Sequence, residues 1–373
     1  MGPLEGFKII EIAGVGPSQF AGMLLADMGA SVLRIDKPGG SNPGFAVHPR
    51  FNLMNRSRPT IVVDLKTNAG VDLVMNLCEE ADALFEGFRP GVMEGLGLGP
   101  AECMQRNPRL VYGRITGWGQ RGPLADSAGH DPNYIALSGV YSAIGEKEGG
   151  PVYPLNLVGD MGGGGAYLVI GLLAAMLEAG KSGQGQIVDA AMIDGAASQL
   201  TAIHGLVAAG VWKEGRGRNL LDGGAPFARA YRTLDDRHIA IAPLENRFFR
   251  LLLNTLGIHD FDPADQYRES EWEDLRRRLE AVFKTRTRDE WCELLEGTDA
   301  CFAPILGIEE AMEHPHNVSR QSFIRVDGVN QAAPAPRFSR TESEVSRPAG
   351  TVESDLQKVI AQWRVSEKVP GNQ

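Results

Sequence analysis

The chain has 373 residues and a formal charge of −10, which argues against a nucleic-acid or anionic-membrane surface but leaves room for a local basic pocket. With 43% hydrophobic and 23% charged residues it has the balance of a globular protein without disordered bias, and its length calls for one large and one smaller domain. The four cysteines (Cys78, Cys103, Cys292 and Cys301) are dispersed, so neither a disulfide framework nor a structural zinc is expected. The 46 glycines are the one departure in composition and imply many tight turns and close backbone approaches. The start MGPLEGFKII lacks a signal peptide's charged beginning and long apolar run, and the end Pro-Gly-Asn-Gln is no peroxisomal address. A cytoplasmic compartment is the expectation.

In chain order, Phe7–Ile12 reads as a short apolar strand, and Pro17–Met28 as a helix stopped by Gly29. Ser31–Ile35 is the next strand, followed by the breaker run KPGGSNPG and a strand over Thr60–Asp64. Thr67 caps a helix to Glu80; a strand at Ala83–Phe85, a helix at Ala101–Gln105 and a strand at Leu110–Ile115 complete an alternating pattern. Such alternation predicts a parallel, Rossmann-like sheet with helices on its faces. Ala166–Ala179 is apolar but short for a bilayer, and reads as a buried helix with no membrane span. Met192–Val211 reads as one long helix.

The polar, glycine-rich stretch EGRGRNLLDGG closes a linker, placed at 201–224. The large domain is expected over 1–200 and is completed by 331–373. A smaller α+β domain occupies 225–330, with paired strands at Arg229–Thr233 and His238–Ala242. The amphipathic tail Val352–Trp363 is expected to return to the large domain as a helix.

A strand, glycines, a helix, a strand and then Asp36 resemble a dinucleotide site. Gly14-Val15-Gly16-Pro17-Ser18-Gln19 lacks the third glycine and carries a proline inside the phosphate turn, which speaks against a nicotinamide cofactor.

Two segments carry chemistry. In AGHDPNYIALSG, Asp131 followed by Pro132 reads as a helix N-cap. His130 then stands at the positive end of the helix dipole, which favours the neutral imidazole a base needs. The alternative is a histidine that only hydrogen-bonds a glycine-rich loop. In LNLVGDMGGGG, Asp160 precedes four glycines and an apolar helix. Bare backbone at that helix start would hold a developing enolate oxygen, and the alternative for Asp160 is a plain N-cap.

The stretches PLEGFKIIEIAG, GPSQFAGMLLADMGASVLRIDKPGG, TIVVDLK, FRPGVMEGLGLGP and NPRLVYGRITGWGQRGP resemble the α-methylacyl-CoA racemases of the class III CoA-transferase superfamily. So do AGHDPNYIALSG, LNLVGDMGGGG, GQGQIVDAAMIDG and LDGGAPF, and the resemblance runs from Leu4 to about Arg340. It implies that His130 and Asp160 are the two acid/base groups of a 1,1-proton transfer through an enolate, since His130 marks the racemase branch. Glu245 in APLENRFF is implied as the carboxylate that orients the imidazole. For coenzyme A, the resemblance implies Lys37 at the phosphates and the strand-end segments Val63, Asp64, Leu65 and Glu86, Gly87, Phe88 around the adenosine; Arg89 is an extra cation nearby, with a solvated surface charge as the alternative. Arg56 and Arg58 are weaker candidate cations. Asp131 and Tyr134 are implied as substrate contacts.

The resemblance further implies an acyl-CoA thioester as substrate, no added cofactor or metal, and an interlocked homodimer. The rival readings are a CoA-transferase that uses Asp160 as nucleophile, and a non-catalytic acyl-CoA-binding homologue.

Overall fold

The computed structural model describes residues 2–40, 47–350 and 355–365, and the chain forms two compact units. The first comprises Met1–Val140, Pro154–Thr201 and Gln321–Gln373; the second comprises Tyr141–Tyr153 and Ala202–Arg320.

The first unit is built on a six-stranded sheet. Its strands are β1 (Lys8–Ile12), β2 (Ser31–Asp36), β3 (Thr60–Val62), β4 (Ala83–Glu86), β5 (Val111–Thr116) and β6 (Ile187–Ala191), in the order β3-β2-β1-β4-β5-β6. Every pairing is parallel. The sequence KIIEI of β1 is buried on both faces, as a central strand of a helix-covered parallel sheet must be. Strand order reverses between β1 and β4, and the crevice at their carboxyl ends is where such sheets bind ligands.

Between β1 and β2 lies α1 (Pro17–Asp27), entered through Pro17 and ended by Gly29, whose φ of +94° is left-handed backbone that glycine adopts without strain. Thr67 caps α2 (Asn68–Cys78) by accepting from the Gly70 N–H, as its position predicts. Short helices α3 (Val92–Gly95) and α4 (Pro100–Arg106) follow β4. After β5 come α5 (Asp131–Leu137) and the short α6 (Val140–Ala143).

A helical run of 28 residues, Leu155–Ser182, is longer than the segment expected from the sequence, and one face of it is exposed rather than buried. It starts with a 3₁₀ turn (Leu155–Leu157), continues as a π-helix (Val158–Ala166) and becomes α7 (Tyr167–Ser182). Among the described residues it is the one helix whose length and composition would allow it to cross a bilayer. Leu168, Val169, Leu172, Ala175, Met176 and Ala179 form its inner face, and they pack with Ile9, Phe85, Val111 and Ile115 of the sheet. Each buried Leu, Val or Met among them contributes about 1.5–3 kcal/mol.

The stretch expected to be one helix after β6 is two, α8 (Met192–Gln199) and α9 (Thr201–Ala208), broken at Leu200. The tail forms a helix on the first unit from Leu356, and the expected start at Val352 lies outside the described residues. Val359, Ile360 and Trp363 join the core beside β2 and α2, and the Trp363 indole N–H donates to the Ser31 carbonyl at 2.9 Å.

The second unit carries an antiparallel sheet of β7 (Arg229–Arg232), β8 (His238–Ile241) and β9 (Phe302–Ile305), in that order. With it come α10 (Asn246–Thr255), α11 (Trp272–Phe283), α12 (Arg288–Leu295), α13 (Ile308–Glu313) and α14 (Pro315–Ser319). Phe227, Phe249, Phe283 and Trp291 are among the aromatic members of its core. The strands β10 (Phe323–Val326) and β11 (Val329–Ala332) form a hairpin that belongs to the first unit. They precede the terminal helix α15 (Leu356–Val365).

Candidate active site

The glycine run was expected to lie open as a bare helix start. Instead Gly162–Gly165 lie within the π-helix, and their lack of side chains serves packing. A Cβ on Gly163 would meet the Ala196 nitrogen at 2.8 Å, one on Gly164 would meet the Met192 Cγ at 2.7 Å, and one on Gly195 would meet the Gly163 carbonyl oxygen at 1.9 Å. The run therefore lets α8 and α1 lie directly against the helix that carries Asp160.

Asp160 sits in the first turn of this helix, half-buried, and is not its N-cap. Its backbone N–H, one of the donors a helix start leaves over, is taken by the Asp131 carboxylate at 2.7 Å. On its side chain, Oδ2 accepts from the Asn156 amide at 3.1 Å, and the same oxygen lies 3.1 Å from where a Cβ on Gly16 would stand. Gly16 belongs to the loop after β1, so Asp160 reaches the crevice at the sheet's carboxyl edge.

Burial pushes the Asp160 carboxyl above the ordinary carboxylate range. The Asp131 charge adds to this, while the Asn156 hydrogen bond and His130 oppose it.

His130, rather than Asp131, is the N-cap of α5. Its extended φ of −136° makes the turn into the helix, Asp131 takes the first helical position and Pro132 the second. The Asn133 side chain holds the cap by accepting from the His130 N–H at 2.9 Å, while the imidazole belongs to an exposed residue.

Downstream, the Tyr134 hydroxyl donates to the Gly129 carbonyl, and the ring meets Trp118 edge-on with centroids 4.8 Å apart. Burial pushes the Tyr134 phenol up to about 12, with Asp160 and Asp131 adding and Arg89 opposing. Arg89, Tyr134, Asp131, Asp160 and His130 thus share one electrostatic neighbourhood in the first unit.

The remaining candidates line the same edge. Lys37 follows β2 and is exposed, and Val63, Asp64 and Leu65 follow β3, with the Val63 N–H still donating to the Asp36 carbonyl at 2.8 Å. Gly87 lies over Ser18, whose Oγ would stand 2.5 Å from a Cβ at that position. Glu86 is turned inward: its carboxylate takes the Phe88 N–H at 2.6 Å and the Arg114 guanidinium at 3.2 Å. Burial raises Glu86 to about 7 against both partners.

Two of the weaker cation candidates are excluded as phosphate ligands. Arg56 is buried on Asp27 at 2.6 Å and Arg58 is buried on Glu11 at 2.7 Å, each needed to neutralise an interior carboxylate. Glu245 lies on the second unit, exposed, as the N-cap of α10.

Asn156 is the site residue that sequence reasoning missed. It lies four residues before Asp160, a spacing that becomes meaningful once the helix is known to start at Leu155.

A family model described as CoA-transferase family III matches residues 4–355. The chain belongs to CoA-transferase family III. Within that family it is 42% identical over 340 residues to an α-methylacyl-CoA racemase of Mus musculus, covering 91% of this chain and 87% of the mouse protein. It is 26% identical over 364 residues to the human succinyl-CoA:glutarate CoA-transferase, covering 93% and 82% of the two chains. A crystal structure of a CAIB/BAIF family protein from Brucella suis matches this family III fold with a TM-score of 0.80 at 25% identity, over 97% of this chain and 99% of that one.

Proposed function

We propose that this chain is an α-methylacyl-CoA racemase, which inverts the carbon next to a coenzyme A thioester. The observation that carries this reading is the 42% identity to an α-methylacyl-CoA racemase, and the hydrogen bond from the Asp160 N–H to Asp131, the residue after His130, supports it.

A thioester α-hydrogen is weakly acidic because the electron pair left behind delocalises onto the carbonyl oxygen as an enolate. His130 takes the proton from one epimer, and protonated Asp160 delivers one to the opposite face. The roles exchange in reverse, with no net change in atoms or redox state. A raised carboxyl suits this duty, since donation requires the neutral form near neutral pH. We assign no metal or redox cofactor to the reaction.

Lys37 and Arg89 are the cations we assign to the coenzyme phosphates, with Val63–Leu65 and Glu86–Phe88 cradling the nucleoside. Asp131 and Tyr134 complete the site.

The assembly we propose is an interlocked homodimer, in which Glu245 of the partner subunit orients the His130 imidazole. Apolar surface left uncovered on each unit supports it: Ile170 and Leu177 on α7 are exposed, and α9 has no buried residue. We place the enzyme in the cytoplasm.

The test is deuterium uptake at the α-carbon of (2R)- and (2S)-2-methylacyl-CoA in deuterium oxide, with chirality read in parallel. Both epimers are expected to gain deuterium and converge on a mixture. An Asp160→Ala variant that still exchanges both epimers at the wild-type rate would remove Asp160 from the reaction.

The second reading is CoA transfer through an acyl anhydride on Asp160, favoured by the 26% identity to a CoA-transferase. No exchange on either epimer, together with an acyl-enzyme trapped by hydroxylamine, would make it the function.

A further inference from the structure

The second unit carries a positive cavity that the racemase reading does not use. About 280 Å³ in volume, it lies between the glycine-rich loop after α9, the start of α11 and the segment around Lys147. Four cations, Lys147, Lys213, Arg218 and Arg276, line it against two carboxylates, Glu269 and Glu273, in a chain whose overall charge is −10.

The loop is a built structure. The Asp222 carboxylate gathers the Asn219 N–H at 2.8 Å, the Asn219 amide at 2.8 Å and the Gly224 N–H at 3.0 Å. Asn219 in turn ties Lys213 by donating to its carbonyl at 3.1 Å and accepting from its N–H at 2.8 Å. Gly217, with φ +60°, brings the loop so close to Lys147 that a Cβ there would meet its nitrogen at 2.7 Å.

The cations are unequally engaged. Lys213 pairs with Glu269, and Arg276 is held by the Gly224 carbonyl at 2.9 Å and more loosely by Glu273 at 3.7 Å. Among the described residues, neither the Lys147 ammonium nor the Arg218 guanidinium has a partner. The Arg276 Nε–H is buried without an acceptor among the described residues. A buried donor left unmet is costly, and an acceptor oxygen placed there relieves the cost.

We propose that this cavity is an anion site for a compact phosphate-bearing molecule. Arg218 and Arg276 supply planar donors matched to phosphate oxygens, Lys147 supplies a point charge, and the Trp272 indole forms an apolar wall. The volume admits a phosphate with a few further heavy atoms, not a whole coenzyme. Inorganic phosphate is therefore the minimal probe.

The experiment titrates inorganic phosphate into the full chain at constant ionic strength, with chloride as the control anion. It follows tryptophan fluorescence, with a Trp272→Phe variant to assign the signal. A saturable change with phosphate and none with chloride is expected. Affinity should fall at least tenfold in Arg218→Ala and in Lys147→Ala, both exposed positions whose circular dichroism should stay native, and stay unchanged in Lys37→Ala. Equal responses to the two anions, wild-type binding in either cavity variant, or loss in Lys37→Ala alone would each overturn the site.

Discussion

The Asp160 backbone N–H donates to the Asp131 carboxylate at 2.7 Å, so the start of one helix and the residue after the His130 cap are tied together. The bond fixes Asp160 relative to His130 and places a negative charge beside it. An Asp131→Ala change removes the tie and leaves the amide unpaired. A hydrogen bond to a charged group is worth about 1.5–3 kcal/mol, so kcat/KM for α-proton exchange should drop roughly 10- to 100-fold. Asp131→Asn keeps an acceptor oxygen but loses the charge, and should retain more activity while lowering the pKa of Asp160.

The Asn156 amide donates to Asp160 Oδ2 at 3.1 Å and favours the ionised carboxylate. Asn156→Ala should raise the Asp160 pKa further, because a bond to the charged form is lost. The limb of the pH–rate profile assigned to Asp160 should move to higher pH, read from exchange rates on each epimer separately. An unmoved limb would show that another group sets it.

Gly195 abuts the Gly163 carbonyl, where an added Cβ would fall 1.9 Å from the oxygen. Gly195→Ala must push α8 from the Asp160 helix at a cost on the order of 1–3 kcal/mol, seen as a Tm lower by several degrees. Exchange activity should fall as well, since α8 packs directly against the helix that carries Asp160.

Arg58 neutralises Glu11 at 2.7 Å, with both side chains fully buried, and Arg34 assists at 3.5 Å. Arg58→Met leaves Glu11 with a poorer partner and should cost about 3 kcal/mol of stability by chemical denaturation. The KM for acyl-CoA of the folded variant should be unchanged, because Arg58 faces the interior and not the coenzyme edge.

Glu86 is raised to about 7 by burial, above its ordinary value. A folded pKa above the unfolded one means the native state binds the extra proton. The resulting stability is full below about 4.5 and is lost as pH rises through about 7. Glu86→Gln should flatten the dependence of unfolding free energy on pH in that window relative to wild type. Parallel curves for the two proteins would show that Glu86 titrates normally.

What the sequence by itself determined was local and periodic. Strands such as KIIEI, the Thr67 cap, the Gly29 stop and the returning tail are each set by a few neighbouring residues, and they stand where their patterns place them. His130 and Asp160 were legible as chemistry because residue type and motif single them out. Only the tertiary structure decided which groups surround them. The glycine run reads as open backbone until α8 is seen pressed against it, and Arg56 and Arg58 read as candidate coenzyme cations until Asp27 and Glu11 are found buried beside them. Asn156 acquires its role, and Asp131 its second partner, from a helix start and a cross-segment hydrogen bond. The physical reason is common to all: desolvation and steric approach depend on which distant segments exclude water from a group, and that is a property of the packed chain.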